Sequence, residues 1–181
     1  MKGTIFTSLA DMVEEQYGLK SWQAMLDACP LSSGGSYSSG GIYPDKEIMS
    51  LVSQLQQQLD VPLDILLRTF GEYLFDCLSK MHQSYLLSKK TPRDFIMSVN
   101  NEIHRDIEKL YPGTSTPFLE YTNNTSNGLS VIYRSPRKLC FLAEGLIQGV
   151  ANQYQTDIGI IHSKCMHRGD KYCQLDLTFY D

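Results

Sequence analysis

Thr91-Pro92-Arg93-Asp94-Phe95-Ile96-Met97-Ser98-Val99-Asn100-Asn101-Glu102-Ile103-His104-Arg105-Asp106-Ile107-Glu108-Lys109-Leu110-Tyr111-Pro112-Gly113 is the stretch where the periodicity of the chain changes. A threonine before a proline, with an acid three residues on, marks a helix start: the hydroxyl caps a free backbone N–H and the proline ring already holds a helical φ. Tyr-Pro-Gly ends it. At about 100° per residue, Phe95, Val99, Ile103, Ile107 and Leu110 fall in one apolar arc, and His104 lies beside Met97 at its margin.

Upstream the pattern is helical, with Phe6, Leu9, Met12 and Val13 and then Ile48, Leu51, Val52 and Leu55 recurring at spacings of three and four. Leu63 to Met81 is apolar nearly all round, which makes it the central helix of the core, with Pro62 at its first turn. The Gly/Ser run from Leu31 to Gly41 reads as a surface loop. After residue 114 the period drops to two, giving strands near 116–122, 128–135, 157–164 and 172–179, and a helix from about Lys138 to Tyr154 crosses between the second and third. Helices followed by strands with one crossover mean α+β: a helical part over about 1–112 and an α/β part over about 113–181 with a four-stranded antiparallel sheet, in a single domain.

Composition narrows the function. Sixteen Lys+Arg against twenty Asp+Glu leave a net charge of −4, a poor footprint for nucleic acid. With 42% hydrophobic and 20% charged residues the 181-residue chain supports one sizeable core, and disorder over its whole length is excluded. A membrane span needs about 18 consecutive apolar residues, and Asp64, Arg68, Glu72 and Asp76 interrupt the richest run. Met1 to Phe6 leads straight into Asp11, Glu14 and Glu15 without a secretory signal, so the expected location is the cytoplasm. Five cysteines, an odd number in a chain this size, suit reduced thiols or metal ligands better than a disulfide frame. Cys29 and Cys77 lie in helical stretches and are assigned to the core; His82, at a helix end, to solvent.

Two constellations carry chemistry. His104 has two readings from spacing alone: a satisfied histidine at the edge of the core, or the single axial ligand that a haem iron requires beside a large apolar cavity. In Val131-Ile132-Tyr133-Arg134-Ser135-Pro136-Arg137 the alternate residues Tyr133, Ser135 and Arg137 present a phenol, a hydroxyl and a guanidinium on one side of an extended segment. Such donors suit carboxylates, which Arg grips in a fork. They equally suit an ordinary polar edge, and Pro136 places the segment's end at an edge of the sheet.

The opening Met1-Lys2-Gly3-Thr4-Ile5-Phe6, the Met12-Val13-Glu14-Glu15 and Gly18 to Trp22 continuation, the helix with His104, the Tyr-x-Ser-x-Arg segment and the Gly169-Asp170 to Cys173 hairpin together resemble the H-NOX (haem nitric oxide/oxygen binding) domain over essentially the whole chain. The resemblance implies haem b between the two parts, His104 as proximal ligand to the iron, Tyr133, Ser135 and Arg137 as the clamp on the propionates, and Pro117 as the proline that presses on the porphyrin. It also places Leu142, Leu9 and Ile5 in the distal pocket. Family members that hold O₂ carry a distal tyrosine where Leu142 stands here, so the apolar pocket is expected to favour nitric oxide and exclude O₂. The implied switch is release of His104 when NO binds. As a stand-alone sensor the chain is expected to act on a separate partner, a histidine kinase or a cyclic-di-GMP synthase or phosphodiesterase.

Cys140, His162, Cys165 and Cys173 make the Cys₃His set of a structural zinc, with His167 as the alternative fourth ligand, or else three small buried hydrophobes beside an unrelated histidine. Zinc release on thiol oxidation would give a redox input, a second functional reading in which haem is secondary. A haem enzyme such as a peroxidase or NO dioxygenase is the third; it wants a distal acid–base group, none can be nominated beside Leu142, and the chain is therefore read as a non-enzyme.

Overall fold

A computed structural model describes residues 1–122 and 125–180. Helices α1 (Gly3–Tyr17), α2 (Leu19–Ala28), α3 (Asp45–Leu59), α4 (Leu63–Met81), α5 (Gln83–Leu87), α6 (Pro92–Ser98) and α7 (Arg105–Leu110) precede the sheet, and α8 (Cys140–Tyr154) interrupts it. Strands β1 (Phe118–Thr122), β2 (Gly128–Arg134), β3 (Asp157–Lys164) and β4 (Cys173–Tyr180) pair in the order β1-β2-β4-β3, antiparallel throughout. The fold is the expected α+β with a crossover helix. Among the described residues no helix is long and apolar enough to cross a membrane.

The α4 and α8 helices cross at backbone contact distance and join the two halves. A Cβ on Gly71 would strike the Leu142 carbonyl, and one on Gly145 would strike the Arg68 carbonyl, so each helix presents a glycine where the other's main chain passes. On one side of the crossing, Leu66, Leu67, Phe70 and Leu74 pack with Phe6, Leu9, Leu51 and Leu142 in a helical core. On the other, Phe75, Ile147 and Val150 pack with Phe95, Leu129, Val131 and Leu175 between helix and sheet. Strand β2 departs from strict alternation, being buried from Leu129 through Tyr133, because it is an interior strand covered by other elements.

Several expectations need correction. The stretch from Pro92 to Leu110 is not one regular α-helix: a π-helical turn, Val99–His104, separates α6 from α7 and breaks the ideal arc, so that Leu110 is 71% exposed rather than in the core. Pro136 does not mark a sheet edge. Strand β2 ends at Arg134, and Ser135 to Lys138 form a turn beyond the ladder, closed by Lys138 N–H donating to the Ser135 carbonyl at 3.1 Å. Cys29 and Cys77 are half-buried, with Cys29 at the C-terminal cap of α2.

The Gly/Ser run is more than a surface loop. Glu47, 1% exposed on α3, accepts hydrogen bonds from the Ser32 and Ser33 hydroxyls (2.5 and 2.6 Å), the Ser33 N–H (3.0 Å) and the Tyr37 hydroxyl (2.9 Å). The loop is wrapped around a buried carboxylate, and Tyr37 stacks on Phe6.

Candidate functional site: a buried histidine, a donor turn and a thiol cluster

His104 closes the π-helical turn. Four residues before it, Asn100 Oδ1 accepts the Leu119 N–H at 3.1 Å; four residues after it, Glu108 accepts from Thr116 N–H and hydroxyl at 3.0 and 2.6 Å. The Tyr121 hydroxyl donates to the Ile96 carbonyl at 2.6 Å. These pins lay the segment Thr116–Leu119 along the helix, which brings the Pro117 backbone to the ring of His104. Burial pushes His104 down to about 4, with the Glu108 carboxylate and the Pro117 backbone resisting more weakly. The imidazole is therefore neutral near pH 7, and its Nδ1 is buried without a hydrogen-bond partner. A buried polar atom left unpaired costs about 1–3 kcal/mol. A buried neutral imidazole with an unsatisfied nitrogen has the chemistry of a metal ligand, and a haem iron would need only this one from the protein.

Tyr133, Ser135 and Arg137 are brought together, by a strand end and a turn rather than by strand alternation alone. Tyr133 is 3% exposed, opposite Leu119 on β1 and Cys173 on β4. Burial pushes its phenol up to about 12 against the opposing hydrogen bond with Ser135, so it stays a donor. Ser135 Oγ accepts the Arg137 N–H at 3.3 Å, and Arg137 Nε donates to Asp45 Oδ2 at 2.6 Å. A phenol at the strand end with a hydroxyl and a guanidinium on the turn that follows form a donor set for carboxylates. Leu9 (1% exposed) and Leu142 (8%) share the helical core, and Ile5 packs against it.

Cys140 opens α8, Cys173 opens β4, and Cys165 follows β3. All three are buried, and their Sγ atoms lie within 4.8 Å of one another and of a ring nitrogen of His162. The hairpin is locked by Asp170, whose carboxylate accepts the Cys165 N–H at 2.8 Å, and Met166 N–H donates to Cys173 Sγ at 3.3 Å. Burial pushes the Cys140 and Cys173 thiols up, so without a cation they are neutral. His167 stands outside the cluster, its Nε2 on the Lys138 carbonyl at 2.7 Å and its ring stacked on Phe141. Three thiols and one imidazole at these distances fit a tetrahedral zinc.

Sequence reasoning missed Asp45, Glu47, Arg68 and Glu144. Glu144 carried a signal, being the one acid within the otherwise apolar run from Cys140 to Ile147. It is 6% exposed, with one oxygen on His162 and the other on Arg68.

Comparison with known proteins supplies the class. The Haem-NO-binding family profile matches residues 2–162, and the chain belongs to that family of haem-binding gas sensors. It is similar over its full length to an H-NOX protein from S. oneidensis, solved in the Fe(II)NO ligation state, at 34% identity and a TM-score of 0.93 with 100% of each chain covered. An Fe(II) unliganded H-NOX protein from K. algicida is 29% identical with a TM-score of 0.93, covering 100% of this chain and 97% of that one. Soluble guanylate cyclase 89Da of Drosophila melanogaster is 27% identical over 140 residues, 76% of this chain; the chain spans only 20% of that cyclase's length.

Proposed function

We propose that residues 1–181 act as one domain that senses nitric oxide in the cytoplasm and passes the signal to a separate partner. In this reading His104 is the axial ligand of haem b lying between the helical and α/β parts, Tyr133, Ser135 and Arg137 grip its propionates, Pro117 presses on its face, and Ile5, Leu9 and Leu142 line the side where gas binds. Bound haem supplies the ferrous iron, which takes NO tightly without a distal donor but holds O₂ well only with one. The observation that carries the reading is the buried imidazole of His104, held against the Pro117 backbone, with its Nδ1 recorded without a hydrogen-bond partner. The similarity to a protein solved with NO on Fe(II) adds to it.

Release of His104 is the proposed switch. The arm from Pro92 to Leu110 holds the Pro117 segment through Asn100 and Glu108, so a change at the ring is felt by the start of β1 as well as by the helix. The partner in this reading is a histidine kinase or a cyclic-di-GMP synthase or phosphodiesterase. Replacing His104 with Gly tests the ligand directly: the histidine-bound ferrous spectrum is expected to vanish and to return when imidazole is added. An unchanged spectrum in His104→Gly would overturn the assignment.

We assign Cys140, His162, Cys165 and Cys173 to zinc, on the observation that four donor atoms converge within 4.8 Å at a buried point. Two-electron oxidation of two of the thiolates to a disulfide by a peroxide, itself reduced to water, would release the ion and reshape the β3–β4 hairpin, a second, redox input to the same sensor.

A further inference from the structure

Histidine 162 offers two ring nitrogens, and they are treated differently. Nδ1 meets Glu144 Oε1 at 2.5 Å, whereas Nε2 is buried with no hydrogen-bond partner. An ionised carboxylate accepts only, so the proton of a neutral imidazole sits on Nδ1 and the lone pair is left on Nε2. Nε2 is then the nitrogen free to meet an ion among the thiols of Cys140, Cys165 and Cys173.

The carboxylate that imposes this choice is itself fixed. Glu144 projects from α8 in a buried position, where a lone carboxylate would be costly, and its second oxygen accepts from Arg68 Nε at 2.6 Å. Arg68 is held in turn by Asp64, one turn earlier on α4, through Nη1 at 2.6 Å, and its guanidinium lies over the Phe141 ring with 5.1 Å to the centroid. That ring also packs edge-on against His162, at 5.6 Å between centroids. Each oxygen of Glu144 thus has one task, and the chain Asp64–Arg68–Glu144–His162 runs from α4 through α8 to β3.

We propose that Glu144 and Arg68 are positioning residues for the metal ion: Glu144 sets the tautomer and tilt of His162, and Arg68 ties that setting to the α4–α8 crossing. The proposal rests on the zinc assignment above and goes beyond it. Neither residue is among the four converging donors; both would act through His162. A carboxylate on the far nitrogen of a ligating imidazole raises its basicity and locks its orientation, and loss of such a partner typically weakens metal binding by about 10–100-fold.

The test uses zinc and cobalt(II) with the full chain. Zinc affinity is measured by competition with a colorimetric chelator for wild type, Glu144→Ala, Glu144→Gln, Arg68→Ala and Arg68→Lys, and the cobalt-loaded forms are read by their thiolate charge-transfer bands. Glu144→Ala is expected to bind about 10–100-fold more weakly with the thiolate bands retained, and Arg68→Ala to weaken binding with partial recovery in Arg68→Lys. Glu144→Gln keeps the size and one acceptor oxygen, so it carries the test if the alanine variant does not fold, with an intermediate loss expected. In the zinc-free protein, ¹⁵N shifts of His162 should report Nδ1–H in wild type and a move toward Nε2–H in Glu144→Ala. Affinities within twofold of wild type in all these variants, or an unmoved tautomer, would overturn the anchor while leaving the zinc site standing. Failure of the wild type to bind cobalt with thiolate bands would overturn the zinc assignment and the anchor together.

Discussion

Arg137 Nε donates to Asp45 Oδ2 at 2.6 Å, and the other oxygen of Asp45 accepts from the Met1 amino group at 2.8 Å, so the turn after β2 is tied to the start of α3 and of the chain. The two residues are 92 positions apart. Asp45 is lowered below its ordinary range: burial opposes ionisation, but the amino terminus and Arg137 outweigh it. Because its carboxylate is 41% exposed, the pair is worth no more than about 1 kcal/mol after screening. Asp45→Ala is expected to lose about that much in urea unfolding, with the loss shrinking as salt is raised. No change at either salt concentration would show the tie to be inert.

Glu47 gives a pH-dependent test. Burial pushes this carboxyl up, yet the hydrogen bonds from Ser32, Ser33 and Tyr37 prevail and hold it down to about 2, below the ordinary 4.5. A depressed folded value means stability that is fully present above about 4.5 and lost as pH falls toward about 2. Glu47→Gln replaces one acceptor oxygen with an NH₂ facing hydroxyl donors and should cost about 2 kcal/mol at neutral pH. Its unfolding free energy should also fall less steeply than wild type's between those two pH values, as followed by circular dichroism.

In the proposed reading, selectivity for NO over O₂ comes from the absence of a donor at Leu142. Leu142→Tyr puts a phenol into the helical core beside Leu9, where the hydroxyl must find a partner. The reduced variant is expected to change spectrum in air and stay changed, whereas the wild type does not. A variant as indifferent to air as the wild type would remove Leu142 from the selectivity argument.

Local chemistry made much of this molecule legible from sequence. Thr91 caps Asp94 N–H at 3.1 Å as the Thr-Pro-x-Asp pattern requires, and the four strands fall within two residues of their expected ends, because these signals lie inside a few residues of one another. The π-helical turn was hidden, since no local signal marks it; the contacts around it are tertiary, with Asn100 holding β1 and Glu108 holding Thr116. A rotation rule of about 100° per residue therefore misplaces Leu110. Cys140, His162, Cys165 and Cys173 could be picked out as a ligand set from residue type and spacing, but the tautomer of His162 could not, because Glu144 and Arg68 arrive from two other elements. Arg137 looked free for a ligand in sequence; its partner Asp45 lies too far along the chain to be paired without coordinates.

The most direct test of the NO-sensing assignment is the visible spectrum of the anaerobic, reduced, haem-loaded protein, recorded before and after air and then after NO. The expected result is a ferrous band unmoved by air and shifted by NO to the position of a five-coordinate centre, as release of His104 requires. A stable oxygen-bound spectrum in air, or an NO spectrum in which the histidine bond persists, would contradict it.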